Sequence, residues 1–591
     1  MGAAAALDAA ATRSIERAGW RLLLDAKDNI LSFRRGSLEL LDPLMRENRP
    51  RVSGRASAGY DIRLIDLDGG AIALEQSVIT TGRAGAREPI TVDLPRSIRL
   101  PFANRSVFLA LSNGLGWHGT EQNALPCAFS LAGGHGMQNP RKLALPLIDE
   151  YTGSDGLRIA YASDPFFSTG FGDMFRWVYS SDAPAPESDR RTVWTMLHTG
   201  TERDSLARFY ETAVRRVRPG PAWLHDIALI DYDYLSDVGQ GWYRDIATLE
   251  KLIRRNDRHK VLFVLHGWYG YIGRYTYDHR SGSLAKRWAA FPQARAPGVQ
   301  QLANQYKPAN PYSWRPEAVR ALQPVELSLE EMHRRIRYGK DRGFRVALYY
   351  GDGLGACDGL KDIFDPSKVL RWGGWTLPDT LGRYYVQNPI HPDVRAFFQG
   401  YIQALLGEYG REVDGFVWDE TFLITSGDLG TTQYPGYAAR AMMRLVESLS
   451  VAVQEFRQEL AFLTSDNLGL RNHDVPCALV AHGTYQDSAM FPGAWAYGLF
   501  PNCRNVMWSC NWAPIRFLER TRYAAETFDA PVSISNGYGE DLGVSEMSHA
   551  ALEKIVHLFD RRKSRRMEIS WIQETGGAQR YQGRPVMPRP A

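Results

Sequence analysis

The segment at 413–422 constrains the fold of this chain more than any other, because a short apolar run there ends in two adjacent carboxylates. The apolar residues 416–418 are followed directly by Asp419 and Glu420. A bounded apolar run of this length is typical of a parallel strand buried on both faces. In parallel α/β folds the residues that follow such strands meet at one rim, where active sites are built. The segment therefore predicts a buried strand that delivers an acid to an active site, and the plainer alternative is that Asp419 caps a helix or pairs with an arginine.

Composition indicates a globular protein of several domains. The chain has 591 residues, of which 44% are hydrophobic and 23% charged, a length that allows about two to four domains. No apolar run reaches the roughly 18 residues of a membrane span, so we expect no membrane partner. Since 70 basic residues face 66 acidic ones, charge gives no indication of nucleic-acid binding.

Cysteine usage and the first residues bear on the compartment. The five cysteines lack the paired spacing of a zinc site and the density of a disulfide scaffold, which favours a reducing environment. Residues 1–11 lack the basic segment and continuous apolar core of a secretion signal. The sequence therefore predicts a cytoplasmic protein.

The region 1–218 is predicted to be an antiparallel β-sandwich domain. Its short alternating segments are separated by Gly, Asp and Asn, which is typical of such sheets. The predicted strands cover 21–24, 30–34, 60–67, 71–79, 90–94, 98–100, 106–111 and 192–198.

After a proline-rich connector at 218–222, strands alternate with helices, and we expect a (β/α)₈ TIM barrel over 223–560. The eight predicted strands cover 227–232, 261–266, 345–350, 413–418, 461–464, 478–481, 505–509 and 532–535. The predicted helices cover 243–255, 328–339, 392–409 and 438–460. A doubly wound open sheet is the main rival, disfavoured because no glycine-rich phosphate loop follows a strand. Residues 561–591 are predicted to be a basic C-terminal extension.

If the barrel is correct, polar side chains after its strands share one rim. The rim is expected to be rich in carboxylates and aromatic rings, which suits a neutral polyhydroxylated substrate better than a phosphorylated one. The candidate substrate-binding residues are Asp231, Asp233, His266, Trp268, Asp352, Asp466, His482, Trp508 and Asn536.

Two carboxylates on either side of a sugar are what glycosidic cleavage requires. One stabilises or attacks the anomeric carbon while the other protonates the leaving oxygen. Asp419 and Glu420 compete for the first role, because neighbouring side chains of a strand point to opposite faces. A metal site is disfavoured, since there is no HExxH motif, no calcium-loop motif and no close histidine pair. No cofactor is expected.

A longer pattern surrounds this strand. The sequence QNPIHPDVR at 387–395 opens a helix that runs to 409, and VDGFVWDE at 413–420 follows. This arrangement resembles the TIM-barrel α-glycosidase superfamily, which includes α-galactosidases and the glycoside hydrolases of families 31 and 36. The resemblance implies a β-sandwich before the barrel, a nucleophilic Asp closing the fourth strand and an acid/base Asp after the sixth. It assigns these roles to Asp419 and Asp487.

The chain departs from the family 36 pattern after Asp419, where Glu420 and Thr421 follow, and it lacks that family's glycine-rich segment with a terminal Asp in the expected place. Substrate identity is therefore open. The resemblance implies a retaining glycoside hydrolase that acts on an α-linked oligo- or polysaccharide. A carbohydrate-binding protein or a transglycosylase of the same fold is the alternative, and the sequence leaves linkage, anomer, exo or endo action and oligomeric state undecided.

Overall fold

The computed structural model describes most of the chain, with gaps. The described residues are 12–42, 44, 48–53, 57–81, 90–101, 106–111, 115–120, 127–129, 141–152, 156–163, 169–170, 174–179, 188–213, 217–233, 240–266, 268, 275–290, 325–357, 377–379, 382–387, 389, 391–419, 421, 436–465, 477–485, 504–505, 522, 531–536, 543–564, 566–573 and 578–586. No described helix has the length and apolar character needed to cross a membrane.

The N-terminal region consists of strands in largely antiparallel sheets and one helix. The strands are β1 (Arg13–Arg17), β2 (Trp20–Leu24), β3 (Ile30–Arg35), β4 (Leu38–Glu39), β5 (Arg51–Val52), β6 (Ser57–Asp66), β7 (Ile72–Thr81), β8 (Ile90–Pro95), β9 (Ser106–Leu111), β10 (Leu115–Thr120), β11 (Cys127–Phe129), β12 (Arg141–Tyr151), β13 (Leu157–Ser163), β14 (Thr169–Gly170), β15 (Met174–Tyr179) and β16 (Ser188–Thr199). Helix α1 (Glu202–Ala213) follows.

The rest of the chain alternates strands with helices and ends in a hairpin. The strands are β17 (Leu229–Asp233), β18 (Val261–Leu265), β19 (Tyr277–Asp278), β20 (Ser283–Leu284), β21 (Arg287–Ala290), β22 (Val325–Ser328), β23 (Arg345–Asp352), β24 (Gly355–Cys357), β25 (Leu377–Asp379), β26 (Gly382–Val386), β27 (Gly415–Asp419), β28 (Ala461–Ser465), β29 (Gly483–Tyr485), β30 (Arg504–Asn505), β31 (Val532–Asn536), β32 (Arg566–Gln573) and β33 (Ala578–Val586). The helices are α2 (Gln240–Leu252), α3 (Leu329–Lys340), α4 (Pro392–Tyr409), α5 (Gly436–Phe456) and α6 (His549–Lys563).

The antiparallel sheets expected at the N-terminus are present. The largest has the order β32-β33-β10-β9-β12-β13-β16-β7-β6, and off this path β11 pairs with β12 and β14 pairs with β11. A second sheet has the order β1-β2-β3-β4, and a third the order β15-β8-β5. Sequence analysis missed several of these strands, β1 and β12 among them, and predicted one at 98–100 that is wrong, because Ile98 makes only an isolated bridge with Leu41.

The C-terminal residues, expected to be an extension, contain the hairpin β32–β33. Strand β33 pairs with β10, so the end of the chain joins the N-terminal sheet. The basic run at 561–566 lies partly in α6, where Arg562 is buried and the Nζ of Lys563 donates to Asp257 Oδ2 at 2.9 Å. The basic composition concealed an alternating strand pattern. The division of the chain into domains remains a prediction.

Eight strands of the second region form one parallel sheet. Its order is β30-β29-β28-β27-β23-β18-β17-β31. Numbered along the chain from one to eight, this order is 7-6-5-4-3-2-1-8, so strands one to seven each neighbour the next and strand eight pairs with strand one. Among the described residues β30 and β31 are not paired, so the sheet is not closed there. Strands β17, β18 and β27 are buried along their whole length, as expected for a sheet covered on both faces.

One predicted parallel strand is wrong. Residues 478–481 lie largely in a 3₁₀ helix at Cys477–Val480, and the sixth parallel strand is β29, which begins at Gly483. The apolar run at 477–481 fits a strand and a buried helical turn equally well, because a short run carries no period. The consequence is that His482 precedes its strand instead of following it.

Candidate active site

The two faces of the parallel sheet have different neighbours. On one face the ring of Phe263 lies 5.5 Å from that of Trp242 in α2, and the ring of Trp418 lies 5.4 Å from that of Phe398 in α4. The hydroxyl of Tyr350 also donates to the Phe398 carbonyl oxygen at 2.6 Å. We call this face the helix face and the opposite one the inner face. Residues in register on adjacent parallel strands point to the same side, and successive residues of one strand point to opposite sides. These contacts therefore determine which face each remaining residue of the sheet occupies.

Asp419 lies on the inner face. It is the last residue of the fourth parallel strand, β27, and alternation places it opposite to Trp418, which packs against the helices. Val417 shares its face and is in register with Tyr349 of β23. Asp419 is buried, with 8% of the residue exposed. As the last residue of its strand it lies at the carboxyl-end edge of the sheet. Glu420, the rival acid, lies outside the described residues.

Three rings lie on the same inner face, and the nearest in the strand order, Tyr349, is in register with Val417, two residues before Asp419. The His266 ring lies 3.8 Å from that of Tyr349 and 5.4 Å from that of Tyr232. Because burial lowers the pKa of His266 well below its usual value, the imidazole is neutral at neutral pH. All three side chains are at most 2% exposed, so the described interior on this face is packed, aromatic and uncharged.

The loop after β23 is held against the end of β27. The N–H of Gly353 donates to the Asp419 carbonyl oxygen at 2.7 Å, and the indole N–H of Trp418 donates to the Gly353 carbonyl oxygen at 2.7 Å. Gly353 has φ of 52°, a left-handed conformation that glycine adopts readily. Asp352 is in register with Asp419 at the end of β23, so both acids belong to the same edge.

Asp231 and Asp233, expected at the rim, lie on the helix face instead. Asp231 is inside β17 and in register with Phe263. Both carboxylates are buried with 1% exposure. Burial raises the pKa of Asp231 well above its usual value, and the charges of Asp245 and Asp233 raise it further. Neither oxygen of Asp231 has a hydrogen-bond partner among the described residues, which favours the protonated acid.

Two further candidates occupy packed positions. The indole of Trp268 is fully buried, donates to the Tyr349 carbonyl oxygen at 3.0 Å and packs against Trp288 and Tyr409. His482 lies at the amino end of β29, where its Nδ1 accepts from the Phe462 N–H at 2.9 Å and burial lowers its pKa to about 3. It therefore lies at the end of the sheet opposite to Asp419.

The remaining candidates are described in part or lie outside the described residues. Asn536 ends β31 in register with Asp233. Asp466 follows directly after β28, and Asp487 comes two residues after the end of β29, but both lie outside the described residues, as does Trp508. Among the described residues no group of three or more His, Cys, Asp and Glu side chains is arranged to hold a metal ion.

Sequence reasoning missed Tyr232 and Tyr349, the two tyrosines of the inner wall. In β17 the residues Leu229–Asp233 are all buried, so no polar and apolar alternation marks which of them face inward. Asp231 and Asp233 were predicted because they are carboxylates, but Tyr232, the residue between them, is the one that reaches the inner face. Alternation along the strand was the only available indication. It does not say which set of residues faces inward until a contact such as that between Phe263 and Trp242 is known.

Comparison with solved structures finds glycoside hydrolases. The match to the family 36 α-galactosidase AgaB from Geobacillus stearothermophilus is 12% identical, spans 93% of this chain and 77% of the other, and has a TM-score of 0.46. An α-galactosidase from Lactobacillus brevis matches with 11% identity, 93% and 83% coverage and a TM-score of 0.46. A family 31 sulfoquinovosidase from E. rectale, solved with an aza-sugar inhibitor, matches with 11% identity, 94% and 83% coverage and a TM-score of 0.44.

Families 36 and 31, to which these names refer, are among the families that the sequence resembles. No protein-family model matches the sequence, and no curated protein matches it either.

Proposed function

We propose that the chain is a glycoside hydrolase of the retaining, two-carboxylate type, acting on an α-linked oligo- or polysaccharide, with Asp419 as its nucleophile. One observation carries the proposal: Asp419 ends the fourth parallel strand on the inner face, at the carboxyl-end edge of the sheet. A carboxylate at that position can approach a ligand at the edge of the sheet. In such a site it would attack the anomeric carbon and form a covalent glycosyl intermediate.

The proposed partner acid is Asp487. It follows the sixth strand, since β29 ends at Tyr485, which is in register with Ser465 at the end of β28. Asp487 would protonate the leaving oxygen and then deprotonate the water that hydrolyses the intermediate. This role requires that the sheet close between β30 and β31 into a barrel, with the N-terminal sheets packed as a sandwich before it. The cyclic strand order supports that closure.

The aromatic, uncharged inner wall favours a neutral hydroxylated substrate. The described rings of the inner face carry no positive charge that would pair with a phosphate, and the carboxylate of Asp419 would repel one. Asp352, at the same edge, would accept hydrogen bonds from further hydroxyls.

The test is a panel of α- and β-linked nitrophenyl glycosides together with neutral polysaccharides. We expect release of sugar from at least one α-linked substrate, with the first-formed product having the α anomeric configuration by proton NMR. Binding without turnover would support a carbohydrate-binding protein instead, and transfer to an added sugar without net hydrolysis would support a transglycosylase.

A chemical rescue experiment tests the role of Asp419. Asp419→Gly removes the nucleophile and leaves space for a small anion, so added azide should restore turnover and give a glycosyl azide. Rescue in Asp352→Gly instead, with none in Asp419→Gly, would assign the nucleophile to the neighbouring strand.

A further inference from the structure

A cleft in the N-terminal region lies at the tips of two hairpins. It has a volume of about 370 Å³, within the range of about 300 to 1,000 Å³ that ligand pockets occupy. Its lining combines the β1–β2 turn with the start of the β3–β4 turn and consists of Glu16, Arg17, Ala18, Gly19, Trp20, Arg21, Arg34 and Gly36. This cleft has no part in the function proposed above.

The lining is strongly basic. It contains three guanidinium groups, those of Arg17, Arg21 and Arg34, and one carboxylate, that of Glu16. Three positive charges and one negative charge give the lining a net charge of +2, and Asp66, outside the lining, lies with its Oδ2 3.7 Å from Arg17 Nε. A further cation lies beside the lining, since the guanidinium of Arg35 lies 6.0 Å from the ring of Trp20.

Two of these arginines face each other directly across the sheet. Arg21 of β2 is in register with Arg34 of β3, and like charges directly opposite each other destabilise a pair of strands. On the two outer strands, Glu16 of β1 is in register with Arg21 and Glu39 of β4 is in register with Arg34. Glu16 lies 3.2 Å from Arg21. The carboxylate of Glu39, which is in register with Arg34, also accepts from the backbone N–H groups of Phe33 and Leu41 at 2.8 and 3.0 Å.

The turn at the mouth of the cleft also carries strain. Ala18 has φ of 46° and Gly19 has φ of 79°, the two positive values of a type I′ hairpin turn. Alanine at a left-handed position costs about 1 to 2 kcal/mol, and Asn or Gly is the usual choice there. Opposed charges and a strained turn thus meet at one cleft, and both are features that proteins retain at binding sites at the expense of stability.

We propose that this cleft binds an oxyanion, namely a carboxylate, sulfate or phosphate group, between the guanidinium groups of Arg21 and Arg34. The planar fork of a guanidinium donates two parallel hydrogen bonds to such a group, and an anion placed between two opposed guanidiniums removes their repulsion. The group is supplied either by a free anion or by an anionic carbohydrate chain. The proposal is independent of the hydrolase activity proposed for Asp419.

The test is calorimetric titration of the full chain at constant ionic strength with inorganic phosphate, with inorganic sulfate, with an oligosaccharide of glucuronate units and with a neutral oligosaccharide of equal length. We expect the anions to bind and the neutral oligosaccharide not to bind. Tighter binding of the glucuronate oligosaccharide than of the inorganic anions identifies an anionic carbohydrate as the source, and equal or weaker binding identifies a free anion. Absence of binding by every anion, or equal binding of the neutral sugar, would overturn the proposal.

Variants locate the site. Arg34→Gln should weaken anion binding by about fivefold or more, because one charged hydrogen-bond donor is lost. Arg334→Gln, which removes an exposed arginine on α3, is the charge-matched control and should bind like the parent. Arg34→Gln should also melt at the same temperature as the parent or higher, because it relieves the opposition with Arg21.

If Arg34→Gln melts at a lower temperature, Arg34→Lys decides the question. Lysine keeps the charge and the approximate length but lacks the planar fork, so intermediate affinity supports the site. Affinity unchanged in both variants would place anion binding elsewhere.

Discussion

The first and fourth parallel strands have the same pattern and different environments. Strands β17 and β27 each have five residues, all buried, and each ends in an aspartate. Yet Asp231 and Asp233 of β17 face the helices, whereas Asp419 of β27 faces inward. In β17 the residue that reaches the inner face is Tyr232, whose ring lies 5.4 Å from that of His266.

The difference shows that an acid at the end of a buried strand acquires its role from its face. On the helix face burial, together with the like charges of Asp245 and Asp233, raises the pKa of Asp231 well above its usual value. On the inner face Asp419 ends its strand at the carboxyl-end edge of the sheet, and the described rings of that face are uncharged. The same residue type is thus a neutral packing group in one strand and a candidate nucleophile in the other.

The largest expected effect is on activity. Asp419→Asn should lower the rate of hydrolysis by about a thousandfold or more, because the amide cannot attack the anomeric carbon. Asp231→Asn makes the same isosteric change on the other face and should leave the rate within a few-fold of the parent. The measurement is kcat/KM on the best substrate of the glycoside panel. An equal loss of kcat/KM in both variants would contradict the assignment of the two acids to faces with different roles.

The next effect tests the helix face itself. Trp418→Ala should lower the free energy of unfolding by about 3 to 5 kcal/mol, because its fully buried ring packs against Phe398, Phe462 and Tyr350. Trp418→Phe keeps a ring but loses the hydrogen bond to Gly353, and it should cost less. Chemical denaturation followed by circular dichroism measures both. A cost below about 1 kcal/mol for Trp418→Ala would contradict the packing of this face.

A smaller effect of opposite sign is expected at Asp231. Its folded-state pKa is raised, so the parent loses stability as the pH rises above the unfolded-state value near 4. Asp231→Asn removes this loss, and its free energy of unfolding relative to the parent should grow by up to about 1.4 kcal/mol per pH unit, until the folded-state pKa is reached. A constant difference between pH 4 and pH 8 would show that Asp231 is ionised in the folded protein.

Much of the fold was predictable because buried parallel strands and their helices have strong sequence signals. Helix α4 begins at Pro392 and ends at Tyr409, as predicted, since proline suits a first turn and its apolar residues recur at helical spacing. The fourth strand was predicted within two residues of its observed bounds.

The errors have physical causes. The apolar run at 477–481 forms a buried 3₁₀ turn, while the strand that follows it has only three residues and no apolar signature. His482 was therefore predicted at the rim, whereas it lies at the opposite end of the sheet. Which residues of β17 face inward depends on register with β18, a property of paired strands that a single strand's sequence does not contain.

The smallest expected effect concerns the helices that cover the third and fourth strands. His333 of α3 lies between two carboxylates, with its Nε2 2.8 Å from Oε1 of Glu408 in α4 and its Nδ1 3.0 Å from Oε2 of Glu412, which follows that helix. Burial lowers the pKa of His333, but the hydrogen bonds and charges of the two glutamates outweigh it and the net shift is upward. A histidine with a raised folded-state pKa contributes stability that is complete below its unfolded-state pKa near 6.5 and is lost as the pH rises through the folded-state value.

His333→Gln should therefore be less stable than the parent by about 0.5 to 1 kcal/mol at pH 5, a modest figure because the glutamates are partly exposed. The difference should shrink as the pH rises above the folded-state pKa of His333. Thermal melts from pH 5 to pH 9 measure it, and Glu553→Gln, which removes a surface partner of His549 on α6, is the control for an exposed pair. A difference that grows with pH would reverse the sign of this linkage and show that His333 is neutral between its two carboxylates.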